Sequence, residues 1–189
     1  MPKERPPREA PRRPAREHVP SRVLVHTGDG KGKTSAAMGL VMRAVARGWR
    51  VCVVQFMKDG RWKTGEEASA GALGVEWWSL GDGFTWDSDD IDRTEAIAHE
   101  AWRSAREVIV RGAHELVVLD EITYPINWGW IDGAEVAHVI GDRPGHVNIV
   151  ATGRDAPPSL CAVADTLTEM TNLKHPFEQG VAAMRGIEF

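Results

Sequence analysis

The sequence predicts an α/β fold, a three-layer sandwich in which helices cover both faces of a mostly parallel sheet. Two observations carry that expectation. Short apolar runs alternate with helix-patterned stretches along the chain, and strands that return through helices run parallel with right-handed crossovers. The runs are also apolar throughout instead of alternating with polar residues, which is the pattern of strands buried on both faces.

Residues 1–21 stand apart as a basic arm. Six prolines and alternating charges in the first 20 residues leave almost nothing to bury, so this segment is expected to be disordered in the free protein. From residue 22 the texture changes, and residues 22–189 are expected to form one domain. Val23-Leu24-Val25 is a short strand that runs directly into a glycine-rich turn. The stretch from Thr34 to Arg47 places Ala37, Leu40, Val41, Ala44 and Val45 on one helical stripe, with Gly48 as its stop. Val51-Cys52-Val53-Val54 is a second buried strand. A looser region follows, rich in Gly, Trp and Asp, with a short helix near Glu66–Ala72. Arg93 to Arg111 is a long amphipathic helix carrying Ile97, Ala101, Ala105 and Val108, ended by Gly112. Leu116-Val117-Val118-Leu119 forms a third strand, finishing in Asp120-Glu121. A helix over Gly133–Ile140, a strand at Val147–Val150, a short helix at Pro158–Val163 and an extended piece near Thr166–Met170 complete the pattern.

Composition bounds the function. The net charge is -4, but seven Lys/Arg against three Glu give the first 22 residues +4 and leave the rest at -8. A body that acidic lacks the basic face a general nucleic-acid binder needs. No apolar run approaches the roughly 20 residues that span a bilayer, and Met1–Pro7 has no apolar segment behind its charges. Neither a membrane anchor nor a secretory signal is expected, and the predicted location is the cytoplasm. Cys52 and Cys161 sit in apolar contexts and are expected to be reduced thiols. The seven histidines lack metal-ligand spacing, so no zinc site is expected.

The chemistry concentrates in Gly28-Asp29-Gly30-Lys31-Gly32-Lys33-Thr34-Ser35. A loop between a buried strand and a helix aims backbone N–H groups at an anion, and the positive end of the helix adds to their field. Gly28, Gly30 and Gly32 permit the tight path, Lys33 can reach a terminal phosphate, and the Thr34 hydroxyl can ligate Mg2+. The loop is a P-loop, and the expected architecture is that of the RecA-like P-loop NTPases. The usual pattern G-x-x-x-x-G-K-[ST] asks for glycine at position 27, where this chain has Thr27. The third strand supplies a metal partner: Asp120-Glu121 is expected beside Thr34 at the neighbouring strand end, holding Mg2+ (or Mn2+ in its place) directly or through water. Which of the two touches the ion is open, and Glu121 could instead activate water.

Several blocks together narrow the choice. The run His26-Thr27-Gly28-Asp29-Gly30-Lys31-Gly32-Lys33-Thr34-Ser35-Ala36-Ala37, followed by Val53-Val54-Gln55-Phe56-Met57-Lys58, resembles the ATP:corrinoid adenosyltransferases. The likeness continues in Thr64-Gly65-Glu66, Gly83-Phe84-Thr85-Trp86, Val118-Leu119-Asp120-Glu121, Thr152-Gly153-Arg154-Asp155-Ala156-Pro157, Thr168-Glu169-Met170, Lys174-His175-Pro176-Phe177 and Gly186-Ile187-Glu188-Phe189. It implies transfer of the 5′-deoxyadenosyl group of ATP to a cob(I) corrinoid, whether cobyrinic acid a,c-diamide, cobinamide or cobalamin, with release of triphosphate. It also implies a reduced flavoprotein as electron donor and a homodimer. By the same resemblance Phe84 and Trp86 face the lower side of the corrin ring and exclude an axial ligand from cobalt; on the residues alone, core packing is the alternative.

Other residues leave more than one reading. Arg154 follows the fourth strand at the ligand-binding edge, either contacting phosphate or ribose or pairing with Asp155 or Asp165. Trp128 and Trp130 either line the corrin face or pack their loop. His175 either contacts ligand or shapes a turn. The competing functions are a P-loop ATPase or small-molecule kinase, and a non-catalytic nucleotide-binding regulator.

Overall fold

The structure, a computed structural model, describes residues 17–58, 64–81 and 91–188. Six strands form one sheet: β1 (Val23–Thr27), β2 (Val51–Gln55), β3 (Glu76–Ser79), β4 (Leu116–Asp120), β5 (Asn148–Thr152) and β6 (Thr166–Glu169). Their order is β3-β2-β4-β5-β1-β6, and every neighbouring pair is parallel. The α/β reading therefore holds, with an entirely parallel sheet.

The helices are α1 (Lys33–Val45), α2 (Gly65–Ala72), α3 (Ile91–Arg111), α4 (Thr123–Asn127), α5 (Gly133–Gly141) and α6 (Pro158–Val163), followed by a 3-10 turn at Pro176–Gln179. They divide the core in two. On one face Ala37, Val41 and Ala44 of α1 pack with Val53, Val118 and Val150. On the other, α3, α5 and α6 cover Val25, Val54, Val117, Leu119 and Ile149. β2 and β4 are buried at every position, as their unbroken apolar runs require. Helix α3 buries Thr94, Ala98, Ala101, Trp102, Ala105, Val108 and Ile109, a stripe at helical spacing, and ends at Gly112 with φ +62°. The predicted stripe was one residue off at its start, since Ala98 and not Ile97 is fully buried.

Three elements lay outside the sequence expectation: β3, α4 and the 3-10 turn. The expected arm also lies largely outside the described residues, as do Phe84 and Trp86. Among the described residues no helix is long and apolar enough to cross a membrane.

Candidate active site

The turn at residues 28–32 lies between β1 and α1, with Gly28 at φ +93° and Gly32 at φ +110°. Both angles are in the region that side chains resist, so glycine is required for conformation there. Gly30 is required for space: its N–H donates to the Met170 carbonyl at 2.7 Å, and an added Cβ would sit 2.8 Å from that oxygen and from the Thr171 backbone. Thr27 needs neither freedom. It is still the last residue of β1, paired with Glu169, and its Oγ1 accepts the Ala156 N–H at 2.9 Å. Threonine there ties the loop to the segment after β5, which explains the departure from the usual pattern.

Gly32 caps α1 without a side chain, which leaves the first amides of the helix free for an anion. The Lys33 ammonium folds over the loop and donates to the carbonyls of Gly28 at 2.5 Å and Gly30 at 2.7 Å. Burial lowers its pKa, and the Arg154 charge acts in the same direction against Asp29, Glu121 and Asp120.

Asp120 closes β4 and is fully buried. β5 stands between β4 and β1, so Asp120 reaches the loop across a strand and not from an adjacent one, as the sequence reading had supposed. Thr152 of β5 bridges the gap. Its hydroxyl donates to Asp120 Oδ1 at 2.7 Å, Thr34 donates to the same oxygen at 3.0 Å, and Gln55 Nε2 donates to Oδ2 at 2.9 Å. Thr152 Oγ1 also accepts the Glu121 N–H at 3.0 Å. Glu121 has φ +64°, a left-handed conformation that non-glycine residues adopt only when the surroundings impose it. Burial and the Asp120 charge push its carboxyl up to about 7, against the opposing pull of Lys58, Lys33 and Arg154.

These donors suit a hard divalent cation. Two adjacent carboxyl groups, with Glu121 held toward its neutral form by burial and by the Asp120 charge, make a site short of positive charge. The Thr34 and Asp120 oxygens are also 3.0 Å apart, close to the roughly 2.9 Å between neighbouring ligands of an octahedral Mg2+.

The remaining candidates sort by position. Arg154 is exposed and lies 4.0 Å from Asp29, so it faces the loop; Asp165 is taken up by the Val23 N–H at 2.7 Å. Lys31 pairs with Glu188 at 3.5 Å, bringing the C-terminal segment onto the loop, and Ser35 is exposed on α1. Trp128 stacks between Tyr124 and Trp130 at centroid distances of 5.7 and 4.7 Å. Trp130, His99, Trp102, Asp132 and Glu135 line a cleft of about 580 Å3 between α3 and the start of α5. The indole N–H of Trp102 is buried with no acceptor among the described residues. His175 shapes a turn, its Nδ1 accepting the Phe177 N–H at 3.1 Å. Gln55 and Thr152 were missed as supports of Asp120. Their signal was a polar residue closing an otherwise apolar buried strand.

The chain's relatives agree with this geometry. Residues 20–189 match the family model described as ATP:corrinoid adenosyltransferase BtuR/CobO/CobP. A corrinoid adenosyltransferase of Pseudomonas aeruginosa is 42% identical over 169 residues, covering 88% of this chain and 83% of that protein. One of a Sinorhizobium species is 41% identical over 172 residues, covering 88% and 79%. The corrinoid adenosyltransferase CobA of Salmonella typhimurium is 37% identical over 167 residues, covering 88% and 85%. With nearly the whole folded chain matched, the protein belongs to the ATP:corrinoid adenosyltransferase family.

Proposed function

We propose that the loop at residues 28–35 grips the triphosphate of ATP as a leaving group and does not present it for phosphoryl transfer. The chain is a corrinoid adenosyltransferase: it transfers the 5′-deoxyadenosyl group of ATP to the cobalt of a cob(I) corrinoid and releases triphosphate. The electron pair of the reduced cobalt forms the cobalt–carbon bond at C5′. The C5′–O bond breaks, and its electron pair leaves on triphosphate. Cobalt is the nucleophile, so no side chain needs to be. The protein's work is to hold C5′ in line with cobalt and to stabilise charge on the departing oxygens.

The observation that carries this assignment is the convergence of Lys33, the uncapped amides of α1 and the Thr34–Asp120 pair at one strand edge. In this reading Lys33 leaves the carbonyls of Gly28 and Gly30 for the triphosphate, joined by Lys31 and the loop amides of Gly28 to Ser35. Arg154, held near Asp29, contacts phosphate or ribose. Thr34, Asp120 and Glu121 would hold Mg2+, whose charge offsets that of the triphosphate. Asp120, sharing an oxygen contact with Thr34, is the nearer ligand of the two acids. By family resemblance, Phe84 and Trp86 form the apolar wall beneath the corrin. The cleft beside α3 accepts the corrin periphery. A reduced flavoprotein supplies the electron, and the setting is cytoplasmic.

Product analysis tests the reading. Anaerobic incubation with ATP and chemically prepared cob(I) corrinoid is expected to yield triphosphate and a light-sensitive cobalt–carbon bond in equal amounts. ADP formed at the same rate without corrinoid would instead identify an ATPase.

A further inference from the structure

At the amino-terminal edge of the sheet, opposite the phosphate loop, three side chains distant in sequence converge. Cys52 lies near the start of β2, Glu76 opens β3, and His114 precedes β4 by two residues. Register brings them together: Cys52 pairs with Glu76, and Val51 with Leu116. One donor atom from each lies within 4.8 Å of the others. His114 Nε2 is 2.8 Å from a Glu76 oxygen, while its Nδ1 is buried with no hydrogen-bond partner among the described residues. Cys52 is fully buried, the His114 side chain is 13% exposed, and Glu76 at 46% opens the group to solvent.

We propose that Cys52, Glu76 and His114 form a second metal site, structural in role, for a borderline-soft divalent ion such as Zn2+. A thiolate, an imidazole and a carboxylate favour Zn2+ over the all-oxygen ions that suit the nucleotide edge. Tetrahedral zinc spaces its donors by about 3.3–3.8 Å, and the three donor atoms already lie within 4.8 Å of one another. The fourth position falls on the solvent side and takes water. A plain His–Glu ion pair accounts for less, since it gives no part to the Cys52 sulfur that lies within 4.8 Å of both. A reactive cysteine is also a poor account, because a sulfur with no exposed surface is closed to a dissolved oxidant or alkylating reagent. The bound ion would pin edge strand β3 to β2 and to the residues leading into β4. Spacing along the chain could not reveal such a site, because adjacency in the sheet assembles it.

Co2+ serves as the probe, added to untagged, chelator-stripped full-length protein with Mg–ATP saturating the nucleotide edge. One equivalent is expected to give a thiolate-to-cobalt charge-transfer band with intense tetrahedral d–d bands, and one equivalent of Zn2+ to abolish both. Cys52→Ala and His114→Gln remove the band, Glu76→Gln weakens Co2+ binding at least tenfold, and Cys161→Ser leaves it unchanged. His114 and Glu76 are only partly buried, so their variants are compared at native circular dichroism and unaltered adenosyl transfer. Absence of the band in folded wild-type protein overturns the site. So does a band that survives His114→Gln or is lost in Cys161→Ser.

Discussion

At the residue scale, Lys33 and Glu121 carry the most specific expectations. Two carbonyls of the loop hold the Lys33 ammonium over the turn, within the same loop whose amides would meet the triphosphate. Lys33→Ala is expected to lower kcat by roughly 10²–10³-fold, the usual scale for losing one preorganised charge-stabilising donor. Single-turnover kinetics with cob(I) would measure the loss, and a fall confined to ATP affinity would contradict the leaving-group role. Glu121 makes a pH prediction. Its folded pKa of about 7 lies above the ordinary glutamate value of 4.5, so the folded state favours its protonated form. That contribution is complete below about pH 4.5 and is lost as pH rises through 7. Glu121→Gln should therefore stabilise the ligand-free protein at pH 8 by about 2–3 kcal/mol while weakening the response to Mg2+. Denaturant melts at pH 5 and pH 8 check the sign, since the gain should be several-fold smaller at the lower pH. Phe84, known only from its motif, has a test of its own. Phe84→Ala is expected to impair turnover far more with a cob(II) substrate and mild reductant than with prepared cob(I), and equal losses would refute a part in cobalt reduction.

At the element scale, legibility followed burial. β1, β2, β4 and β5 were visible in the sequence because parallel central strands must be apolar at nearly every position. β3 was missed because Glu76-Trp77-Trp78-Ser79 covers only an edge, half buried and bounded by polar ends. α4 was missed because Pro125 inside Thr123–Asn127 signals a break, although proline is tolerated in the first turn of so short a helix. The loop's chemistry was legible from glycine, lysine and threonine in order. The support of Asp120 by Gln55 and Thr152 was not, because three separate strands meet there. Two glycines next to each other in function differ in what they demand. Gly39, inside α1, has open space where a Cβ would go, so Gly39→Ala should stabilise by about 0.5–1 kcal/mol. Gly30→Ala would press against the Met170 and Thr171 backbone, displacing the loop from β6 at a cost of about 1–3 kcal/mol. Thermal melts of the two variants should therefore move in opposite directions, and Gly30→Ala should also weaken ATP binding.

At the scale of the whole molecule, the sheet order places the phosphate loop where β1 sits between β5 and β6, so β6 and everything after it guard one side of the site. That side is unusually apolar for a surface. All four residues of β6 are exposed, Leu167 among them at 50%, and the following segment exposes Leu173, Phe177, Val181, Met184 and Ile187. Large exposed apolar side chains beside an unpaired strand edge are candidates for an interaction surface. We propose β6 and residues 173–187 as the covered face of the homodimer that family resemblance implies. The same segment reaches the loop through the Glu188–Lys31 pair, so association there would also steady the triphosphate grip. Phe177→Glu and Val181→Glu together should shift sedimentation-velocity profiles from dimer toward monomer. Since neither side chain belongs to the core, the melting temperature measured at high dilution should stay within the range of wild-type monomer. ATP affinity should fall in step with the monomer fraction. A variant that remains dimeric would place the subunit contact on another face, and a monomer with undiminished ATP affinity would separate assembly from the loop.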